Sequence, residues 1–146
     1  MCIIVDTNVL SILLDPNDKV GIQLREWLRT KGKTVIGGRY GREVRLNLVA
    51  AKYFAELVRQ SRARIIPDGQ LDHLTEELAK DDQLSSDDPH IIALAILSKA
   101  RILFTHDQAL GKDFKNKEII NNPRGCIYKS PSHAKLLKHH KGCAPD

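Results

Sequence analysis

The chain has 146 residues, 42% of them hydrophobic and 28% charged, with a net charge of +5, which suits one domain around a single apolar core and excludes a disordered chain. The longest apolar run, Ile91 to Leu97, falls well short of the roughly 20 residues that a membrane-spanning helix needs. With no charged lead before the first apolar stretch, a cytoplasmic protein without a membrane partner is expected.

The N-terminal run Cys2-Ile3-Ile4-Val5 is short, continuous and β-branched, as in a central parallel strand covered on both faces, and it stops at Asp6. After the Asp15-Pro16-Asn17-Asp18 turn, the spacing of Val20, Leu24, Trp27 and Leu28 predicts a helix over about 19–31. Thr34-Val35-Ile36 reads as a second strand, stopped by Gly37-Gly38. A long helix is expected from about Tyr40 to Arg59, with the stripe Leu46, Val49, Ala50, Tyr53 and Leu57 facing the sheet. Arg64-Ile65-Ile66 reads as a third strand, and Leu71, Leu74 and Leu78 predict a helix over about 70–80. A further helix is expected from Ser86 to Lys99, a fourth strand over Ile102-Leu103-Phe104-Thr105, a fifth over Cys126-Ile127-Tyr128, and a short basic helix from Ser132 to His140. Parallel strands need helix-length crossovers, so this alternation predicts a three-layer α/β/α sandwich with a central parallel sheet. One domain over 1–140 and a frayed tail over 141–146 complete the expectation. Cys2, Cys126 and Cys143 have no CxxC spacing, which argues against a disulfide framework or a thiolate zinc site and for incidental thiols.

Charge is distributed in blocks: residues 1–18 carry net −3, 19–64 net +9, 65–110 net −6 and 111–146 net +5. A fold that gathers the acidic blocks around one cleft and rims it with basic ones would suit a polyanion handled with a metal ion. An unevenly charged soluble surface is the plainer alternative.

In an open parallel sheet, ligands sit beyond the carboxyl ends of the strands. Asp6 and Asp107 fall at that edge, after the first and fourth strands, and Asp88 lies in the Ser85-Ser86-Asp87-Asp88-Pro89 segment that leads into a helix. Glu43 shares the stripe of Leu46, Ala50, Tyr53 and Leu57, where an uncompensated carboxylate would be costly. Each acid also has an ordinary explanation: an Asx-turn for Asp6 and Asp107, a capping box from Ser85 to Asp88, and an ion pair of Glu43 with Arg39, Arg42 or Arg45. Taken together, four acids at one edge need either protons or a hard cation with oxygen ligands, and Mg²⁺ or Mn²⁺ is the natural occupant. His90 and His106 flank two of the acids and are expected at the surface or as outer partners of the ligands.

At these residues the sequence resembles the PIN-domain family. Ile4-Val5-Asp6-Thr7-Asn8-Val9-Leu10 is similar to the family's opening strand and aspartate. Asp88-Pro89-His90-Ile91-Ile92-Ala93-Leu94-Ala95 is similar to its helical acidic motif, and Ile102-Leu103-Phe104-Thr105-His106-Asp107 to its strand ending in Thr-x-Asp. The resemblance covers about residues 1–114. It implies a divalent-metal endoribonuclease in which Asp6, Asp88 and Asp107 are metal ligands supported by Thr7, Asn8 and Thr105. Glu43 corresponds to the family's second acid by its position in the helix after strand two, and Asp87 is a neighbour or substitute for Asp88. Many members are toxins of toxin-antitoxin pairs, so the resemblance brings an antitoxin protein and a homodimer into view as partners besides the RNA substrate. Arg39, Arg42, Arg45, Lys112, Lys115 and Lys117 are the candidate phosphate contacts. A haloacid-dehalogenase-like phosphohydrolase needs an aspartate where this chain has Asn8. A catalytically inactive PIN-like RNA-binding or assembly module is the second reading.

Overall fold

A computed structural model describes residues 2–139. Five parallel strands form one sheet: β1 (Cys2–Val5), β2 (Lys33–Gly37), β3 (Ala63–Ile66), β4 (Ile102–Phe104) and β5 (Cys126–Tyr128), in the order β3-β2-β1-β4-β5. Eight helices among the described residues flank it: α1 (Leu10–Leu14), α2 (Lys19–Thr30), α3 (Gly38–Arg45), α4 (Leu48–Arg59), α5 (Asp68–Ala79), α6 (Pro89–Ser98), α7 (Gln108–Lys115) and α8 (Leu136–His139). The result is a three-layer α/β/α sandwich, as the alternation of apolar runs implied.

Central position explains the strand composition. All four residues of β1 and all three of β4 are buried, because helices cover both faces and leave no side for polar residues. Helix α6 is apolar nearly all round, with Ile91 through Ala95 buried, and begins with Pro89, whose missing N–H costs nothing at that position. Asp18 caps α2 by accepting from the Val20 and Gly21 amides at 2.8 and 3.1 Å. No helix among the described residues is long and apolar enough to cross a membrane.

Several local expectations are corrected. The helix expected over Tyr40–Arg59 is two helices, broken at Leu46-Asn47, because the Asn47 side chain accepts from the Ala50 amide at 3.1 Å and starts α4 afresh. The stripe proposed through Leu46 therefore does not face the sheet: Leu46 is 86% exposed and Val49 is exposed, while Ala50, Phe54 and Leu57 are buried. The helix expected from Ser86 starts at Pro89. Helices α1 and α7 were not anticipated, and the basic C-terminal helix is a 3-10 turn at Pro131–His133 followed by α8. Cys2 is disulfide-bonded, against the expectation of incidental thiols. The expected tail over 141–146 lies outside the described residues.

Candidate active site

From β1 the chain moves outward to β2 and β3, then returns across the sheet so that β4 lies on the other side of β1. The strand order reverses there, and the crevice beyond the carboxyl ends of β1 and β4 is where such a sheet binds ligands. Val5 pairs with Phe104 in register, so the next residues of the two strands, Asp6 and Thr105, lie side by side. The Thr105 hydroxyl donates to Asp6 Oδ2 at 2.7 Å and accepts from the Asp107 amide at 3.0 Å. A single buried hydroxyl thus ties together the two acids that end neighbouring strands. Asp6 is only 6% exposed. Asp107 caps α7, its Oδ1 accepting from the Leu110 amide at 3.1 Å, so the ordinary capping role coexists with its place at the site.

Glu43 arrives from the β2 side. Gly38 has a left-handed backbone, and its amide donates to Asp68 Oδ1 at 2.8 Å; a Cβ on Gly37 would meet the Ile66 carbonyl oxygen at 2.5 Å. These two glycines turn the chain sharply from β2 into α3, which leaves Glu43 near the strand ends. Tyr40, fully buried, donates from its hydroxyl to the Val5 carbonyl at 2.5 Å and pins α3 to the end of β1. Burial, with the Asp6 and Glu43 carboxylates, pushes that hydroxyl far above the ordinary tyrosine range. Glu43 Oε1 accepts from Arg39 Nε at 3.0 Å and lies 3.5 Å from His90 Nε2, and Thr7 Oγ1 stands 3.5 Å from Oε2. The ion pair weighed as the ordinary explanation of Glu43 is therefore present, with Arg39. His90 is 4% exposed, and its Nδ1 has no hydrogen-bond partner among the described residues. Burial holds this imidazole below its usual value against the pull of Glu43, so it is mainly neutral at pH 7.

Asp88 is the residue before α6, yet its side chain makes no capping bond; the Ser86 hydroxyl instead accepts from the Asp88 amide at 3.4 Å. Its carboxyl is pushed up to about 6, first by burial and then by the Asp6, Asp107 and Glu43 carboxylates. A residue that sequence reading overlooked holds this segment in place. Asp113 of α7, 1% exposed, accepts from the Ser85 and Ser86 amides at 2.8 and 2.9 Å. It clamps the Asp88 loop to the helix that Asp107 caps. The available signal was an acid among Leu110 and Phe114 on the buried side of a helix.

Of the remaining candidates, Asn8 and Asp87 are exposed, with no hydrogen bond from either side chain to a described residue. Arg42 is engaged by Asp72 at 3.0 Å and Asp68 at 3.5 Å, and Arg45 is exposed. Lys112 and Lys115 line a groove that opens at Asp107. His106 is exposed and lies edge-on to Phe104.

No protein-family model, curated protein or solved structure matches this chain. Its chemistry is carried by the residues themselves. Among the described residues no three His, Cys, Asp or Glu side chains are already drawn into one metal-binding group. Asp6, Glu43 and Asp107 each have an oxygen turned to a protein donor. The chemistry of the donor set fits a hard divalent cation, since the converging groups are all carboxylates and their mutual repulsion is unrelieved at Asp88.

Proposed function

We propose that this chain is a divalent-metal-dependent endoribonuclease of PIN-like type that hydrolyses RNA phosphodiester bonds. The observation that carries the reading is the gathering of carboxylates from four separate segments at the switch point of a parallel sheet, where burial first, and then the Asp6, Asp107 and Glu43 carboxylates, push Asp88 up to about 6. Structural acids are ordinarily matched by bases, and of these four acids only Glu43 is ion-paired to an arginine among the described residues. Asp6, Glu43, Asp88 and Asp107 would hold Mg²⁺ or Mn²⁺, with Thr105 orienting the Asp6 carboxylate and holding the Asp107 backbone. Such an ion lowers the pKa of a bound water and offsets charge on the phosphodiester and its leaving oxygen. The chain's own contribution is placement: Thr105 fixes the Asp6 carboxylate, Asp113 fixes the loop of Asp88, and neutral His90 backs Glu43 without adding a competing cation. A toxin role, an antitoxin partner and a homodimer are proposals that follow from the family resemblance alone, and a cytoplasmic location is a proposal from the short apolar runs and the lack of a charged lead.

The test is incubation of labelled RNA with purified protein, with and without Mn²⁺ or Mg²⁺. Metal-dependent cleavage is expected, with a loss of more than about a hundredfold in Asp6→Asn, the equivalent of at least about 2.7 kcal/mol of charge stabilisation. In parallel, Mn²⁺ at about 100 times its dissociation constant should stabilise the wild type by about 2.7 kcal/mol in thermal unfolding and leave Asp6→Asn nearly unmoved. A protein that binds RNA but neither cleaves it nor responds to metal would be the inactive module instead.

A further inference from the structure

Beside the acidic site, and continuous with it through Thr105 and Asp107, runs a groove of about 870 Å³ between α7 and the segments on either side of β5. Lys112 and Lys115 line it from α7, Arg124 from before β5, and Lys129 and His133 from after it. Among the described residues the only acid on its walls is Asp107, at the end where it meets the site. The four permanently charged side chains are exposed, and none forms an ion pair with a described carboxylate. The groove's polar groups are also partly set in place. Arg124 Nε donates to the Lys115 carbonyl at 2.6 Å, which anchors its guanidinium and leaves the terminal nitrogens for a ligand. The Lys129 amide donates to His133 Nδ1 at 3.2 Å, which leaves the other ring nitrogen of His133 as the proton carrier. On the other flank of the acids two of the three α3 arginines are already taken, Arg39 by Glu43 and Arg42 by Asp68 and Asp72.

We infer that this groove is the track of a single RNA strand, which runs to one side of the acidic site along α7 and β5 and does not straddle it. Cations in succession from one acidic mouth match the regular charge of a phosphate backbone, whereas a small anion would need one or two. The cations come from one short stretch of surface, and shape-reading of a duplex needs contacts spread over about 16 base pairs. The nuclease reading supplies the reason for RNA, so the inference deepens it and rests on it for the identity of the polyanion.

Binding of a labelled single-stranded RNA to the full chain, followed by fluorescence anisotropy in EDTA over a range of salt, tests the track apart from any cleavage. The double variant Lys112→Gln/Lys129→Gln should flatten the plot of log affinity against log salt by about 1.4, close to 0.7 for each lost contact, which amounts to about 60-fold weaker binding near 50 mM salt. Arg124→Gln should flatten it by about half as much. The charge-matched control Lys52→Gln/Lys80→Gln alters exposed lysines outside the groove, and it should leave the slope unchanged. Equal weakening by the control pair, no effect of the groove variants, no salt-dependent binding by the wild type, or duplex bound as tightly as single strand would each overturn the track. Cleavage with Mn²⁺ by a protein whose binding ignores these lysines would sink the groove and spare the nuclease. Groove-dependent binding without any cleavage would do the reverse.

Discussion

Asp6 and Asp107 stand at the ends of neighbouring strands and are joined through one buried hydroxyl, whereas Glu43 and Asp88 ride on or before helices and are held by partners far away in the chain. The strand side takes its geometry from the sheet itself: once Val5 and Phe104 pair, Asp6 and Thr105 have nowhere else to go. The helix side depends on separate clamps, Gly37-Gly38 and Tyr40 for α3 and Asp113 for the Asp88 loop. One half of the site is therefore as rigid as the sheet, and the other is only as well placed as its fasteners.

The largest effect that would sharpen this contrast is catalytic. Asp107→Asn should lower metal-dependent cleavage by more than about a hundredfold. Glu43→Gln, at a position already neutralised in part by Arg39, should cost about tenfold; equal losses in single-turnover assays would erase the distinction. Next comes the fastener. Asp113→Ala strips two charge-assisted hydrogen bonds from loop amides and should cost about 2–4 kcal/mol in urea unfolding, together with a loss of cleavage even though Asp113 is remote from the substrate. If stability falls and cleavage does not, the loop is held by something else. Thr105→Val keeps the shape but orphans a buried Asp6 oxygen and the Asp107 amide, at about 1–3 kcal/mol and about 10- to 100-fold in Mn²⁺ affinity by calorimetry; Thr105→Ser should restore most of both.

The smallest effect is the one that reads the electrostatics directly. Asp88 holds its proton more tightly folded, up to about pH 6, than unfolded, where an aspartate titrates near 3.8. Its contribution to stability is therefore full below about pH 4 and is lost as the pH rises through 6. At most about 3 kcal/mol is involved, reduced to on the order of 1 kcal/mol because the carboxyl is partly solvated. Asp88→Asn should remove this part of the metal-free protein's pH dependence and raise its melting temperature at pH 7 relative to wild type. A variant less stable than wild type at pH 7 would mean that Asp88 is not repelled by its neighbours.

The two halves also differ in how far they could be read in advance. Asp6 and Asp107 were legible because a short β-branched run that ends in an acid marks both a buried strand and its end. Glu43 was singled out through a stripe that is not there: Leu46 and Val49 are exposed, and the chain breaks at Asn47. Glu43 reaches the site because of the tight turn before it and Tyr40 behind it, neither of which has a periodic signature. Asp113 was missed because, in a stretch of alternating lysines, one acid looks like any other surface charge until the Ser85-Ser86 loop folds against it. The arginines of α3 and the lysines of α7 looked alike as candidate phosphate contacts, and only the fold, which brings Asp68 and Asp72 of α5 against Arg42, sets that arginine apart from the lysines.

The sequence by itself determined the alternation of strand and helix, the parallel sheet and the two acids at its strand ends, since these follow from local periodicity and from where apolar runs stop. Tertiary structure alone decided which carboxylates share a field, which cations are left without a partner, and which distant side chain holds each loop in place. Those are properties of separation in space, and charge interacts through space with no regard for its order along the chain.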